Sequence, residues 1–175
     1  MMASTIVRNN RVVRPLYSAE QRERRDASVW TLVQGVLAPF QFVVFLVSLA
    51  LVVRYLATGE GLEVAGLSVV VKTVVLYVIM VTGSIWERDV FGQYLFASAF
   101  FWEDVVSMLV LALHTAYLLA HFGGWLEASA LMWLALAAYA AYVANAAQFV
   151  FKLRAARLER ATADAARGTT TEFAR

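Results

Sequence analysis

Four long apolar stretches constrain this chain more than any other feature of its sequence. They run over Trp30–Leu56, Val64–Trp86, Ala99–His121 and Trp125–Phe151. A helix needs about 20 residues to cross the hydrocarbon core of a bilayer, so each stretch is long enough to do so. With 61% hydrophobic and only 16% charged residues, the composition is also that of a membrane protein. The sequence therefore predicts an all-α fold, an integral membrane four-helix bundle.

The polar segments outside these stretches are too short for a second domain. Residues 1–29 are predicted to be a polar N-terminus, disordered over 1–16 and then forming a short surface helix capped by Ser18. Residues 30–151 form the transmembrane domain, and 152–175 a charged helix with a disordered tail. The chain contains no cysteine, which excludes disulfides, thiolate nucleophiles and cysteine-type metal sites.

The distribution of basic residues predicts the orientation in the membrane. Arginines and lysines precede the first stretch and follow the last, whereas the first connection, around Glu60 and Glu63, is acidic. The positive-inside rule therefore places both termini in the cytoplasm. Basic residues beside anionic headgroups explain the Arg-rich N-terminus better than nucleic-acid binding does. We expect a multi-pass protein in contact with the lipid bilayer and no nucleic-acid partner.

The third stretch carries ionisable groups that a membrane helix rarely contains. Glu103, Ser107, His114, Tyr117 and His121 fall within a sector of roughly 80° at 100° per residue. Ionisable groups at membrane depth are costly, so such a stripe normally faces a bundle interior or a polar cavity. We therefore expect the functional site along this stripe, with Tyr117 more often a packing residue than a reactive one.

Polar groups from all four stretches are predicted to meet at one depth, near the cytoplasmic side. This set consists of Gln34, Glu87, Glu103, Asp104, Ser107, Asn145 and Gln148. Two members of this set also have simpler interpretations. Asp104 could sit at the interface, where a helix N-terminus favours negative charge, and Gln34 belongs to a seven-residue repeat with Gln41 and Ser48 that is typical of helix–helix contacts. Lys72 is predicted to extend its ammonium group to the headgroups.

The residue pattern leaves two kinds of chemistry open. The sequence has no P-loop, no nucleophile elbow and no metalloprotease motif. His114 and His121 lie about 10 Å apart along one helix, too far to share a metal. A carboxylate cluster with one buried histidine suits general acid–base catalysis, or axial ligation of a metal that a bound macrocycle already holds.

Four runs of the sequence resemble the 3-vinyl bacteriochlorophyllide hydratase family of phototrophic bacteria. The runs are Trp30–Phe42 (WTLVQGVLAPFQF), Arg54–Gly61 (RYLATGEG), Gly83–Glu87 (GSIWE) and Phe100–Tyr117 (FFWEDVVSMLVLALHTAY). The resemblance covers roughly Ala19 to Leu158. It implies addition of water across the C3-vinyl group of a chlorophyllide-type macrocycle, without a cofactor, in a bacterial inner membrane. The product would carry a 1-hydroxyethyl group.

This reaction assigns hypothetical roles to the polar residues. Glu103 is the expected proton donor, with Asp104 or Glu87 activating water or balancing the developing cation. His114 would relay protons or ligate the magnesium of the substrate, and these roles stay open. Substrate contacts are expected from Trp86, Trp102, Ser107, Tyr117, Gln34, Asn145 and Gln148. The competing hypothesis is a non-enzymatic pigment carrier or assembly protein, and self-association or contacts with other pigment-pathway enzymes are further expectations.

Overall fold

The computed structural model describes residues 16–172, and within this range the protein is helical. A short helix, α1 (Ala19–Ala27), precedes four long ones: α2 (Val29–Thr58), α3 (Leu62–Phe91), α4 (Phe101–Gly123) and α5 (Ala128–Glu172). Each long helix contains a window apolar enough to cross a membrane. The predicted all-α fold is thus confirmed, with four helices long and apolar enough to cross a membrane and α1 as a fifth, short helix. Of residues 1–16, predicted to be disordered, all but Leu16 lie outside the described range.

Local sequence signals explain where the helices begin and end. Ser18 caps α1 by accepting a hydrogen bond from the Gln21 amide at 3.1 Å, while the Gln21 side chain accepts one from the Ser18 amide at 2.9 Å. This reciprocal capping box is the one that the sequence predicts. Gly59 and Gly124 end α2 and α4 in the left-handed conformation, which glycine adopts without steric cost.

Helix α5 is longer than the sequence predicts. It continues without a break from the membrane-spanning part to Glu172, where the sequence suggested a separate charged helix and a disordered tail. Residues 152–168 are rich in alanine and arginine, which are strong helix formers. Their propensity carries the helix beyond the apolar segment.

The four long helices are arranged as two hairpins. Helix α2 packs along α3, and α4 packs along α5. Contacts between the hairpins are sparser and run from α2 to α5 and from α3 to α4, while α1 lies against α3. The connections at Thr58–Leu62 and Gly123–Ala128 lie at one end of the bundle, and residues 92–100 join α3 to α4 at the other.

Hydrogen bonds between side chains hold the helices in register. Gln34 donates to Thr82 at 2.7 Å across α2 and α3. Ser48 contacts both Ser68 at 2.7 Å and the Tyr139 hydroxyl at 2.5 Å, which links α2 to α3 and α5. Polar side chains in a membrane bundle commonly act in this way. The interpretation of Gln34 and Ser48 as part of a helix–helix contact is therefore confirmed.

Candidate functional site

The polar stripe of α4 faces the interior of the bundle, as its spacing predicts. Glu103, Ser107, His114 and Tyr117 are all buried, whereas His121, at the far end of the stripe, is partly exposed. Val110 lies on the same face, between Ser107 and His114, and is fully buried. The buried face of α4 thus carries ionisable and polar groups along most of its length, interrupted by Val110.

Two buried carboxyl groups meet where α3 ends and α4 begins. Glu87 lies in the last turns of α3 and Asp104 in the first turn of α4, with exposed fractions of only 5% and 4%. The two carboxyl groups accept hydrogen bonds from the amides of two consecutive loop residues, which brings them close together. We call Glu87 and Asp104 the carboxyl pair, and the end of the bundle at which they lie the site end.

The loop between α3 and α4 is fastened to the carboxyl pair through its backbone. The Phe96 amide donates to Asp104 Oδ2 at 2.7 Å, and the Ala97 amide donates to Glu87 Oε2 at 3.3 Å. Phe96 has a φ of 60°, in the left-handed region that a bulky residue rarely adopts. The two hydrogen bonds therefore hold the loop in a strained conformation directly over the two acids.

Because of this strain, we expect the effect of a substitution at Phe96 to depend on how well the new residue tolerates a positive φ. Phe96→Val places a β-branched residue at positive φ and is expected to loosen the loop by about 1–2 kcal/mol. Phe96→Asn, which tolerates this conformation, serves as the control. Limited proteolysis of the protein in vesicles is the measurement, with faster cleavage within residues 92–100 expected for Phe96→Val alone. Equal cleavage of both variants would contradict a strained loop.

Glu103, the predicted proton donor, is engaged in an ion pair. Its carboxylate accepts a short hydrogen bond from the Lys152 ammonium group, which also lies 5.1 Å from the centre of the Phe100 ring. The pair joins the first turn of α4 to α5 at the point where α5 leaves its apolar segment. The Glu103 carboxylate is thus already occupied by a partner on another helix. The structure thus gives Glu103 a contact that the sequence analysis missed.

An aromatic cluster covers the carboxyl pair at the site end. Tyr17 stacks on Phe91 at 5.8 Å between ring centres, and Phe100 stacks on Phe149 at the same distance. The Arg25 guanidinium group lies 4.9 Å from the Tyr17 ring. Burial raises the pKa of the Tyr17 hydroxyl, although the nearby Arg25 opposes this effect. Tyr17 therefore remains an uncharged aromatic cover near neutral pH.

The two tryptophans predicted to contact substrate lie in different environments. Trp86 packs edge-on against Phe91 and Phe100, and its indole N–H donates to the Thr31 hydroxyl at 2.9 Å. Trp102 is 69% exposed and lies on the outer surface of α4, next to Phe101. Trp86 thus belongs to the packed helix contact, whereas Trp102 presents a free aromatic face to the membrane.

Amide and hydroxyl groups continue the polar lining above the carboxyl pair. Asn145 donates to the Ser107 hydroxyl at 2.7 Å, which brings together α5 and α4 as the sequence predicts. The buried Oδ1 of Asn145 and Oε1 of Gln148 have no hydrogen-bond partner in the described chain. Gln34, which is also predicted to belong to this lining, instead uses its side-chain amide in the contact between α2 and α3.

His114 and Lys72 lie buried in the middle of the membrane-spanning region. His114 Nδ1 lies 2.8 Å from the Val110 carbonyl oxygen, and its ring lies 5.9 Å from that of Tyr139. Lys72 has no exposed surface, and its ammonium nitrogen lies 3.8 Å from the Tyr142 ring centre. The expectation that Lys72 reaches the headgroups is wrong, because its helix turns this side chain between the two hairpins, where the Tyr142 face accommodates it.

The arrangement at the site end is suited to proton transfer. Two adjacent buried carboxyl groups can act together as proton donor and acceptor, and the surrounding aromatic side chains keep bulk water away. The strained loop lies between them and the outside. A planar apolar ligand would reach the acids by displacing this loop, past the exposed rings of Phe96, Phe101 and Trp102.

Comparison with known proteins gives one consistent result. Residues 17–155 match a family described as 2-vinyl bacteriochlorophyllide hydratase. The chain is 63% identical over 150 residues to a protein of that name from Rhodobacter capsulatus, covering 86% of this chain and 87% of the relative. It is 64% identical over 146 residues to one from Cereibacter sphaeroides, covering 83% and 91% of the two chains. No solved structure matches.

Proposed function

Because the chain belongs to the 2-vinyl bacteriochlorophyllide hydratase family, it adds water across the vinyl group of a bacteriochlorophyll precursor, and we propose that the carboxyl pair performs the proton transfers. The vinyl group numbered 2 in the family description is the C3-vinyl group of current tetrapyrrole numbering. The enzyme is a hydro-lyase, and the alternative of a carrier without activity is set aside by this membership. The observation that carries our proposal is the convergence of Glu87 and Asp104 on two consecutive amides of the loop.

The reaction needs a proton at one carbon and a hydroxyl group at the next. In our proposal, one acid of the carboxyl pair delivers its proton to the terminal CH₂ carbon of the vinyl group. This leaves a cation on the carbon attached to the ring, where the macrocycle delocalises it. The other acid, as a carboxylate, stabilises the cation and takes a proton from the water whose oxygen bonds to that carbon. The product is a 1-hydroxyethyl group, and the pair again holds one proton.

Hydrogen-bond geometry suggests how the two roles are divided. Asp104 accepts the shorter bond, 2.7 Å against 3.3 Å for Glu87. Hydrogen bonds from backbone amides favour the charged form of a carboxyl group. We therefore assign the carboxylate role to Asp104 and proton delivery to Glu87. Glu103, paired with Lys152, would then hold α4 against α5 beside the reacting groups rather than donate a proton.

His114 retains the two roles open to it in the sequence analysis. Its Nε2 atom has no partner in the described chain, and the ring leans toward the site end because side chains of a helix point to its N-terminus. Ligation of the substrate's magnesium by Nε2 would require the two hairpins to part, since His114 is fully buried. Proton relay requires no such movement, and we favour it for that reason.

We also propose that the site end faces the cytoplasm of a bacterial inner membrane. Arg22, Arg24 and Arg25 of α1 and the basic residues at and after Lys152 in α5 lie at this end. Their number supports a cytoplasmic location by the positive-inside rule. Self-association and contacts with other enzymes of the pigment pathway remain predictions.

Isotope incorporation tests the proposed reaction directly. Membranes containing the protein are supplied with a 3-vinyl chlorophyllide in ¹⁸O-labelled or deuterated water. We expect a blue shift of the red absorption band, because hydration removes the vinyl group from the conjugated system. Mass spectrometry should find one ¹⁸O atom in the new hydroxyl group and one deuterium in the new methyl group. Deuterium on any other carbon of the new substituent would contradict delivery of the proton to the terminal carbon.

A further inference from the structure

Buried polar atoms without partners are concentrated between the two hairpins. Among the side chains that the structure describes they are the following: Gln41 Oε1, Lys72 Nζ, His114 Nε2, Tyr117 OH, Asn145 Oδ1 and Gln148 Oε1. A buried polar group without a hydrogen bond costs free energy, so native proteins rarely leave several together. Their common location indicates that something else occupies this region in the membrane.

These atoms follow one another along the axis of the bundle. On α5, Gln148 and Asn145 come first from the site end, followed by Tyr142, whose ring lies under Lys72. His114 comes next, beside Tyr139, and Tyr117 lies one turn further along α4. At 1.5 Å per residue the series spans about 20 Å. Gln41 of α2 lies at about the depth of His114, since each is about a dozen residues from the site end of its helix. We call these six atoms the polar seam.

The far end of the polar seam reaches a cavity. The Tyr117 ring stacks on His121 at 5.7 Å between ring centres, and its hydroxyl lies 3.8 Å from where a side chain on Gly66 would begin. His121 and Gly66 both line a cavity of about 280 Å³, together with Leu62 and Glu63. This cavity lies beside the connections opposite to the site end. Tyr117, the group of the seam closest to this cavity, lies behind His121 and Gly66 and is itself fully buried.

The mixture of donors and acceptors identifies the ligand. His114 Nδ1 faces a carbonyl oxygen and so carries the hydrogen, which leaves Nε2 as an acceptor. The three amide oxygens are acceptors, Lys72 is a donor, and the Tyr117 hydroxyl is either. An anion would meet four acceptors, and a metal ion would meet the Lys72 ammonium group. Water both donates and accepts, and buried water typically satisfies groups of this kind.

We propose that the polar seam holds a file of water molecules that runs from the cavity at the opposite end toward the carboxyl pair. The presence of water in the seam is supported by the set of unpartnered atoms alone. The role of this water as the supply for the reaction rests, in addition, on the proposed function. A hydratase buried in a membrane needs such a supply, because the hydrocarbon core offers none and the aromatic cluster covers the site end.

Thiol accessibility tests the seam in a chain that has no cysteine of its own. Val110→Cys places a thiol on the seam, and Leu109→Cys places one at the same depth on a surface 54% exposed to lipid. Each protein in nanodiscs is treated with silver ions, then denatured and labelled with a fluorescent maleimide. Silver ions are small enough to follow a narrow water path and bind thiolates, which form only in contact with water.

We expect silver to lower later labelling of Val110→Cys by about tenfold and to leave Leu109→Cys unchanged. Thr73→Cys and Val74→Cys repeat the comparison on α3, where Thr73 is buried beside Lys72 and Val74 is 53% exposed. This second pair keeps the test valid if Val110→Cys fails to fold. Loss of labelling in both members of a pair, or in neither, would overturn the proposal, since silver would then arrive through lipid or not at all.

Lys72→Met is the variant expected to remove water from the polar seam. It keeps the length of the side chain, removes the donor, and is expected to abolish silver protection of the Val110→Cys thiol. We expect turnover to fall about tenfold with an unchanged KM for the pigment, and Lys72→Gln to restore part of it. Full turnover in a dry Lys72→Met protein would overturn the role as water supply. Normal turnover after substitution of the carboxyl pair would instead refute the proposed function. The silver protection of the thiols would still support water in the seam.

Discussion

Asp104→Asn is expected to lower the rate of vinyl hydration by about 10²–10⁴ while the protein still binds its pigment. The asparagine keeps the shape of the side chain and can still accept the Phe96 amide, so the loop should stay in place. It cannot, however, take a proton from water or balance a cation. Glu87→Gln should cause a loss of similar size, because the two groups act as one unit.

Turnover and binding are measured separately on the same membranes. The blue shift of the red absorption band reports turnover, and retention of substrate by the purified protein reports binding. Glu60→Gln is the matched control, since it removes an exposed carboxyl group at the opposite end of the bundle that does not line the cavity there. Turnover within a few-fold of the unmodified protein for both Asp104→Asn and Glu87→Gln would refute the carboxyl pair as the catalytic group.

Removing Lys152 should destabilise the protein more than removing its partner. Lys152→Met leaves the Glu103 carboxylate buried without a counter-ion, and Lys152 is itself 27% exposed in its side chain. Breaking a buried pair in this way costs several kcal/mol, which partial exposure reduces here to about 2 kcal/mol. Glu103→Gln keeps a polar group of the same shape and should cost less, and the double variant should recover much of the loss.

Unfolding in a titration of mixed detergent micelles with sodium dodecyl sulfate measures these differences. The same variants also decide the role of Glu103, because we expect Glu103→Gln to keep turnover within about tenfold of the unmodified protein. A loss as large as that of Asp104→Asn, with normal stability, would return the role of proton donor to Glu103. Strictly additive effects in the double variant would show that the two side chains do not interact.

Periodicity in the sequence predicts the interior of α4 well. Four of the five residues in the stripe are buried because a membrane helix has one dominant constraint, the exclusion of ionisable groups from lipid. The same argument predicts that Glu87, Asp104, Ser107 and Asn145 come together near one end. Their similar depth in the membrane is enough to predict this, since the connections between the helices are short.

The particular partners could not be predicted in this way. Glu103 pairs with Lys152 because α5 stays helical past its apolar segment, and Lys72 is buried because of how one hairpin rotates against the other. The positive φ of Phe96 depends on two hydrogen bonds from groups distant in sequence. Each of these contacts is decided by the tertiary structure and leaves no periodic signal in the chain.

The arrangement in two hairpins has a consequence for the biogenesis of the protein. Each hairpin can leave the translocon as a unit whose two helices already pack on each other. Helices α2 and α3, for example, are joined by the hydrogen bond between Gln34 and Thr82. Lys72 and His114 become enclosed only when the two units associate laterally. Insertion into the bilayer and assembly of the functional interior are therefore separate events, and in a newly inserted chain the surroundings of these two buried polar side chains form last.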